Sequence, residues 1–379
     1  MERSDKDLTT PWPLEQIGMD RVFSKDPSLN GEGVIIGSVD TGVDPNHESL
    51  RGKIISFFDT KRREVTFPVD RGGHGTHTIG TMIGGETDTL DRIGVAPAAK
   101  LVAAGSLGSV DDVFAGMEHM LDPDGNPDTD DFPRVINNSW GGTGKSLEVL
   151  YKAITAWEAS GILAVFAAGN SGDGPMTVTK PSEHPSVLTV AALDRDGMVT
   201  DFSSRGPASF ESRRLQKPDL SAPGKDVRSA IPGNKYAKYS GTSMAAPHVA
   251  GVAALLIQRF PSLNPRQLRG ILVLSAKRKN ELGELDSSAT WNPAYGHGQV
   301  SAPDALNLAQ RVNGGGTSPF ELATPFLKSP FALKADQISA MDTVFSSKRA
   351  LFSSVQGPAG SKNSFREAIQ WQSPDQFFN

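Results

Sequence analysis

Five short stretches of the chain are rich in apolar residues: GVIIGSVD (33–40), KLVAAG (100–105), RVINNSW (134–140), ILAVFAAGN (162–170) and VLTVAAL (187–193). They do not alternate apolar with polar, which is the pattern of strands covered on both faces, so each is predicted to be a strand of a parallel sheet. The segments between them carry a different period. In SVDDVFAGMEHML (109–121), Val110, Val113, Phe114, Met117, Met120 and Leu121 share one helical face; in KSLEVLYKAITAWEASG (145–161), Leu147, Leu150, Ile154 and Trp157 do so before Gly161 supplies a stop. A further helix is predicted over NPRQLRGILVLSA (264–276), with Asn264 as its cap and Pro265 at the first helical position, where a missing N–H does no harm. Strand and helix in alternation mean crossover units. The expected fold is α/β, a three-layer sandwich with a mostly parallel central β-sheet flanked by helices.

Composition narrows the partners. The chain has 379 residues, enough for one large α/β core with an appendage, and a formal charge of −5 that offers no basic footprint for nucleic acid or an anionic membrane. With no cysteine, disulfides, zinc-thiolate centres and thiol chemistry are excluded. No run of about 18 apolar residues occurs, and the first twenty residues lack the apolar stretch of a secretory signal. An extracellular protein is expected if a leader and prodomain have been removed upstream, a cytoplasmic one if Met1 is the native start. The main domain is expected to occupy residues 1–312, a Gly-rich linker 313–319 and a Phe-rich tail 320–379. That tail holds eight of the chain's 18 phenylalanines, too aromatic for a simple disordered extension, and is expected to dock partly on the main domain or to serve as a regulatory arm.

Three polar residues stand where such a fold displays chemistry. Asp40 ends the first apolar run, at the carboxyl edge of the predicted sheet. His74 opens GGHGTHTIGTMIGG (72–85), whose glycines allow close backbone approach. Ser243 follows Gly241 and Thr242 at the head of SMAAPHVAGVAALLIQRF, so its backbone N–H belongs to a helix N-terminus that favours a negative oxygen. GTS is expected to form a strained turn there, and Ala245, Ala246 and Gly251 to let the helix run close beneath the sheet. Singly, each polar residue is more often a helix cap; together, in the order Asp, His, Ser, they form a set for nucleophilic catalysis.

VDTGVD, GHGTHTIGTM and GTSMAAPHVAG resemble the Asp, His and Ser motifs of the subtilisin-like serine proteases, a likeness that covers roughly residues 10–310. VINNSWGG (135–142), IGVAPAAK (93–100), DFSSRGP (201–207) and YGHGQV (295–300) are most similar to the bacillopeptidase F group. The resemblance implies a serine endopeptidase of broad specificity with Asp40, His74 and Ser243 as its catalytic triad and an acyl-enzyme intermediate. It makes His74 the general base and His77 a structural neighbour, and assigns the oxyanion hole to the side chain of Asn170 with the Ser243 N–H. Ser139, Trp140 and Gly141 resemble the strand that pairs with substrate, Ala168 and Gly169 the opposite wall, and Thr179 the floor of the pocket before the cut bond. Protein or peptide substrates and a monomeric enzyme follow.

No cofactor is expected for the chemistry. The family often shows a calcium-binding carboxylate nine residues after the catalytic Asp, where this chain has Ser49. DPDGNPDTDD (122–131) instead gathers acidic residues, and Asp122, Asp124, Asp128 and Asp130, with Asp131, are candidate ligands of a structural Ca²⁺.

Overall fold

The computed structural model describes residues 10–85, 92–279, 283–288 and 290–313. The tail 320–379, and all of the linker except Asn313, lie outside the described residues.

Eight strands form the central sheet: β1 (Ile35–Asp40), β2 (Ile54–Asp59), β3 (Glu64–Val65), β4 (Lys100–Gly105), β5 (Val135–Asn138), β6 (Leu163–Ala167), β7 (Leu188–Leu193) and, after a β8–β9 hairpin (Ala208–Phe210, Arg213–Leu215), β10 (Leu220–Pro223). Their spatial order is β10-β7-β6-β5-β1-β4-β2-β3, and every neighbouring pair is parallel except β2–β3. A second hairpin, β11 (Val227–Ile231) with β12 (Lys235–Tyr239), stands apart from the sheet. All five predicted strands are present, trimmed by up to three residues at an end. β2 and β10 were not anticipated: β2 leaves Ile55 exposed and β10 holds a proline, so neither reads as a buried apolar run.

Helices cover both faces. They are α1 (Trp12–Gln16), α2 (Met19–Lys25), α3 (His74–Ile83), α4 (Val110–His119), α5 (Tyr151–Ala159), α6 (Thr242–Arg259), α7 (Pro265–Leu274) and α8 (Ala302–Asn313). On one face Val113 and Met117 of α4 and Ile154 and Trp157 of α5 bury Val102, Ile136 and Phe166. On the other, Ile79 of α3 and Val249 of α6 join Leu101, Val135 and Val165. Each strand thus sends neighbouring side chains into two different cores, which is why the apolar runs do not alternate. The Asn264 cap is realised as a full capping box with Gln267. Residues 145–150 form a 3₁₀ turn ahead of α5.

α6 runs beneath β5, β6, β7 and β10, and from Thr242 to Ile257 every residue but Ser243 is buried. A methyl at Gly251 would lie 2.5 Å from Val95 Cβ, so the helix uses the missing side chain to approach its neighbour. Overpacking of this kind costs about 1–3 kcal/mol. No helix among the described residues is long and apolar enough to cross a membrane.

Candidate active site

β1 lies mid-sheet, with β4 and β2 added on one side and β5, β6, β7 and β10 on the other. The chain therefore reverses its direction of winding at β1, and in open α/β sheets such a switch point opens a crevice at the carboxyl ends of the strands. Asp40 ends β1, Ser139 follows β5, and Ala168, Gly169 and Asn170 follow β6.

His74, the first residue of α3, donates from Nδ1 to Asp40 Oδ1 at 2.7 Å. Asp40 is buried and accepts two further hydrogen bonds, from its neighbour Thr41 N–H at 2.7 Å and from Thr78 Oγ1 at 3.1 Å. Burial opposes a charged imidazole, but the Asp40 carboxylate and its hydrogen bond, with Asp70 behind, outweigh it and raise His74 above its ordinary value. With Nδ1 spent on Asp40, the neutral ring keeps Nε2 as an acceptor. His77 is a different kind of residue. Its ring is wholly buried, donates from Nε2 to the carbonyl of Val227 at 3.0 Å and stacks on Tyr239 at 4.4 Å. Burial lowers it to about 4, which keeps it neutral.

The loop before α3 hangs on Asp70, a residue the sequence reading passed over. Its carboxylate accepts from Thr41 Oγ1 at 2.7 Å, Gly73 N at 2.8 Å, Thr76 N at 2.8 Å and Thr76 Oγ1 at 2.6 Å. Burial would raise this carboxyl, but the hydrogen bonds from Thr76 and Thr41 prevail and hold it below the usual carboxylate range. An aspartate four residues ahead of a glycine-flanked histidine is a visible capping signal; its tie to Thr41, 29 residues away, is not.

Ser243 is the second residue of α6 and remains partly accessible. Among the described residues its hydroxyl is hydrogen-bonded to the Ser139 carbonyl, at 3.1 Å, and not to His74. The Asn170 side-chain oxygen accepts from Thr242 N at 2.9 Å and Thr242 Oγ1 at 3.0 Å, which fixes the amide and turns its nitrogen toward the start of α6. A Cβ built on Gly241 would lie 3.4 Å from Asn170 Nδ2, 3.7 Å from Asn170 Oδ1 and 3.6 Å from Ser243 N, so Gly241 lies beside both groups. The Asn170 amide and the Ser243 N–H thus flank the space that a side chain at 241 would enter. The turn itself is unstrained. Gly241 has φ 161° and ψ 161°, extended backbone, so the expected strain is absent, and a Cβ there would meet its neighbours only at ordinary van der Waals distances.

The remaining predicted positions lie close together. Gly142 and Lys180 exchange backbone hydrogen bonds, and Thr179 N donates to Ala168 O at 3.0 Å, so the segment at 179–180 bridges the chain after β5 and the chain after β6. Cβ atoms at Gly141 and Gly169 would each meet Thr179 Oγ1, at 2.6 and 2.7 Å. Thr179 thus lies between the two walls. Trp140 turns its indole away into the second core, edge-on to Phe166 at 5.1 Å, leaving its backbone as the part that faces the slot.

Of the acidic loop, the fold brings together Asp122, Asp124 and Asp131, whose carboxylate oxygens come within 4.8 Å of one another. Asp128 and Asp130 do not join that group; Asp131 takes their place, because the turn held by Thr129 on Asp124 points the intervening residues outward. Ser49 is spent on His47 Nδ1 at 2.9 Å. Close by, the Lys53 ammonium donates to the carbonyls of Ile83, at 2.6 Å, and Pro97, at 2.5 Å, tying down the end of α3 with a cation of the protein's own.

Comparison with known proteins agrees with this architecture. Residues 31–298 match the family model described as the subtilase family. Bacillopeptidase F of Bacillus subtilis (strain 168) is 36% identical over 323 residues, 78% of this chain but 22% of that protein. Serine protease AprX of the same organism is 35% identical over 74% of this chain and 67% of its own length. The thermostable alkaline protease of Halalkalibacterium halodurans is 36% identical over 78% and 73%. A family match over most of the chain, on a sheet that gathers Asp40, His74, Asn170 and Ser243 at its carboxyl edge, means that this protein belongs to the subtilase family.

Proposed function

We propose that the chain is a serine endopeptidase that hydrolyses peptide bonds through Asp40, His74 and Ser243. The observation that carries this reading is the His74–Asp40 hydrogen bond at the carboxyl edge of the sheet, with the Asn170 amide and the Ser243 N–H side by side at the head of the helix that bears the hydroxyl. Two neighbouring donors beside a nucleophile suit the oxyanion of a tetrahedral intermediate. Ser243 Oγ leaves the Ser139 carbonyl and attacks the peptide carbonyl carbon while His74 Nε2 takes its proton; Asp40 holds the imidazole tautomer and stabilises the imidazolium. The same proton passes to the leaving amine, and water then releases the acyl group by the reverse sequence.

Substrate lies extended in the slot, its backbone against residues 139–141 on one side and Ala168 and Gly169 on the other. Recognition by strand addition is largely main-chain, which favours broad specificity for protein and peptide substrates. Thr179 gives the floor a hydroxyl and no charge. The enzyme acts as a monomer and needs no cofactor for its chemistry. Asp122, Asp124 and Asp131 would hold a structural Ca²⁺: the donors are all carboxylate oxygen, and burial with the two neighbouring carboxylates raises Asp131, a strain that a cation relieves.

The test is a fluorophosphonate probe applied to the purified chain and to Ser243→Ala, with the adduct located by mass spectrometry and casein hydrolysis measured in parallel. Adduct on Ser243, and hydrolysis lost in the variant, is the expected result. Folded wild-type protein that neither labels nor cleaves refutes the proposal.

A further inference from the structure

Pro247 stands in the second turn of α6, where it has no N–H to give to the carbonyl four residues back, that of Ser243. That carbonyl is satisfied all the same. Ser139 Oγ donates to Ser243 O at 2.8 Å, while Ser243 Oγ donates to Ser139 O at 3.1 Å, so the residue after β5 grips the nucleophile's backbone and its hydroxyl together. A serine hydroxyl has one proton and can direct it elsewhere. Asn137, two residues earlier and therefore on the same face of the strand, settles the direction: its Nδ2 donates to Ser139 Oγ at 2.9 Å. An amide N–H at that oxygen leaves the Ser139 proton only outward directions, toward Ser243 O. Asn137 is fully buried, and the substrate slot begins beyond it, at Ser139.

We propose that Asn137 is a positioning residue for the nucleophile, acting on Ser243 through the Ser139 hydroxyl, and that Pro247 makes this arrangement necessary by removing the helix's own donor. The proposal rests on the reading of Ser243 as the nucleophile. The chain of donors runs Asn137 Nδ2 to Ser139 Oγ to Ser243 O, and it holds the first turn of α6 at a set height against β5. The Ser243 N–H, one of the two donors facing the oxyanion point, moves with that turn. Loss of the relay therefore shows in turnover, with little change in KM.

The experiment compares kcat per active site, titrated with the fluorophosphonate, for wild type, Asn137→Ala, Asn137→Asp, Ser139→Ala, Ser139→Thr and Pro247→Ala, and for Asn137→Ala in the Pro247→Ala background. Titration removes the effect of misfolded molecules, so a purely structural role for Asn137 lowers the active fraction and the melting temperature but leaves kcat per site unchanged. Positioning lowers kcat per site in Asn137→Ala by about 3- to 10-fold, the worth of one hydrogen bond. Asn137→Asp, close in shape but an acceptor, draws the Ser139 proton away and falls at least as far. Ser139→Thr keeps the hydroxyl and retains most of the rate that Ser139→Ala loses. In Pro247→Ala, residue 247 regains an N–H for Ser243 O, and the Asn137→Ala effect shrinks toward unity. Wild-type kcat per site in both Asn137 variants, or an Asn137→Ala effect undiminished in the Pro247→Ala background, overturns the proposal. If Pro247→Ala does not fold, the Ser139→Ala and Ser139→Thr pair decides, since equal losses exclude a hydroxyl relay. Failure of the wild type to label at Ser243 is a separate result, and it removes the nucleophile and this inference together.

Discussion

In the proposed mechanism two helices deliver the two halves of the chemistry, and they begin in opposite ways. α3 starts at His74 behind the Asp70 carboxylate, which accepts the N–H groups of Gly73 and Thr76 and so fills the positive end of the helix with the protein's own charge. α6 starts at Thr242 with no acidic residue in its first turn, and among the described residues nothing accepts the Ser243 N–H. A histidine at an uncompensated helix N-terminus would be pushed toward the neutral form; with Asp70 and Asp40 beside it, His74 is raised instead. A serine at an uncompensated N-terminus keeps a donor in reserve for a charge that exists only during the reaction. In the proposed mechanism, one helix end is neutralised to keep a base strong, and the other is left bare to receive an anion.

The sharpest way to break this comparison is to remove the nucleophile. Ser243→Ala is expected to lower kcat on the order of 10⁶-fold, a magnitude established on a subtilisin, this chain's own family. Asp40→Asn should cost about 10⁴-fold and also move the pH profile. Because His74 is raised above its ordinary value of 6.5, kcat/KM should climb through a pKa above that value as the imidazole loses its proton, and the variant should bring the climb to lower pH. Stability runs the other way. The His74–Asp40 contribution is complete below 6.5 and is lost as pH rises through the folded value, so the wild-type melting temperature should fall over the window in which activity appears.

The bare end of α6 is tested next. Asn170→Ala should lower kcat by about 10²–10³-fold, again a family magnitude carried over, and Gly241→Ala should approach that loss while the protein stays folded, since its backbone is extended. An active Gly241→Ala would mean that the oxyanion does not lie between those two donors. At the filled end, Asp70→Asn should destabilise the fold by about 2–3 kcal/mol at neutral pH through weakened charge-assisted hydrogen bonds, measured by denaturant unfolding. Asp70 is held below its ordinary 3.8, so its contribution is whole above that value and disappears as pH falls through the lower folded value. The variant should therefore show a shallower acid limb. The smallest expected effect is that of a calcium chelator, which should lower the melting temperature by about 2–4 °C, and no further in a variant with Asp122, Asp124 and Asp131 replaced by Asn.

Much of this was legible in the sequence, for reasons that can be named. Strands buried on both faces write continuous apolar runs, which is how β1, β4, β5, β6 and β7 were found. The motifs around Asp40, His74 and Ser243 are local, each a strand end or a helix start, so their positions follow from neighbouring residues alone. β2 and β10 escaped because exposed Ile55 and the proline of β10 interrupt the apolar pattern. Which of the five aspartates at 122–131 come together could not be read along the chain, because the turn at Thr129 decides which carboxylates face one another.

The sequence by itself determined the layered α/β class and the family, and offered the polar residues proposed for the site. Only the tertiary structure decided which of two nearby histidines meets a carboxylate, that Gly241 sits in extended backbone beside Asn170 and Ser243, and that the carbonyl left unserved by Pro247 is taken up by Ser139 across 104 residues of chain. Hydrophobic pattern and helix capping act between near neighbours and can be read along the chain. Hydrogen bonds between segments far apart depend on register and on the distance between packed backbones, which no single segment specifies.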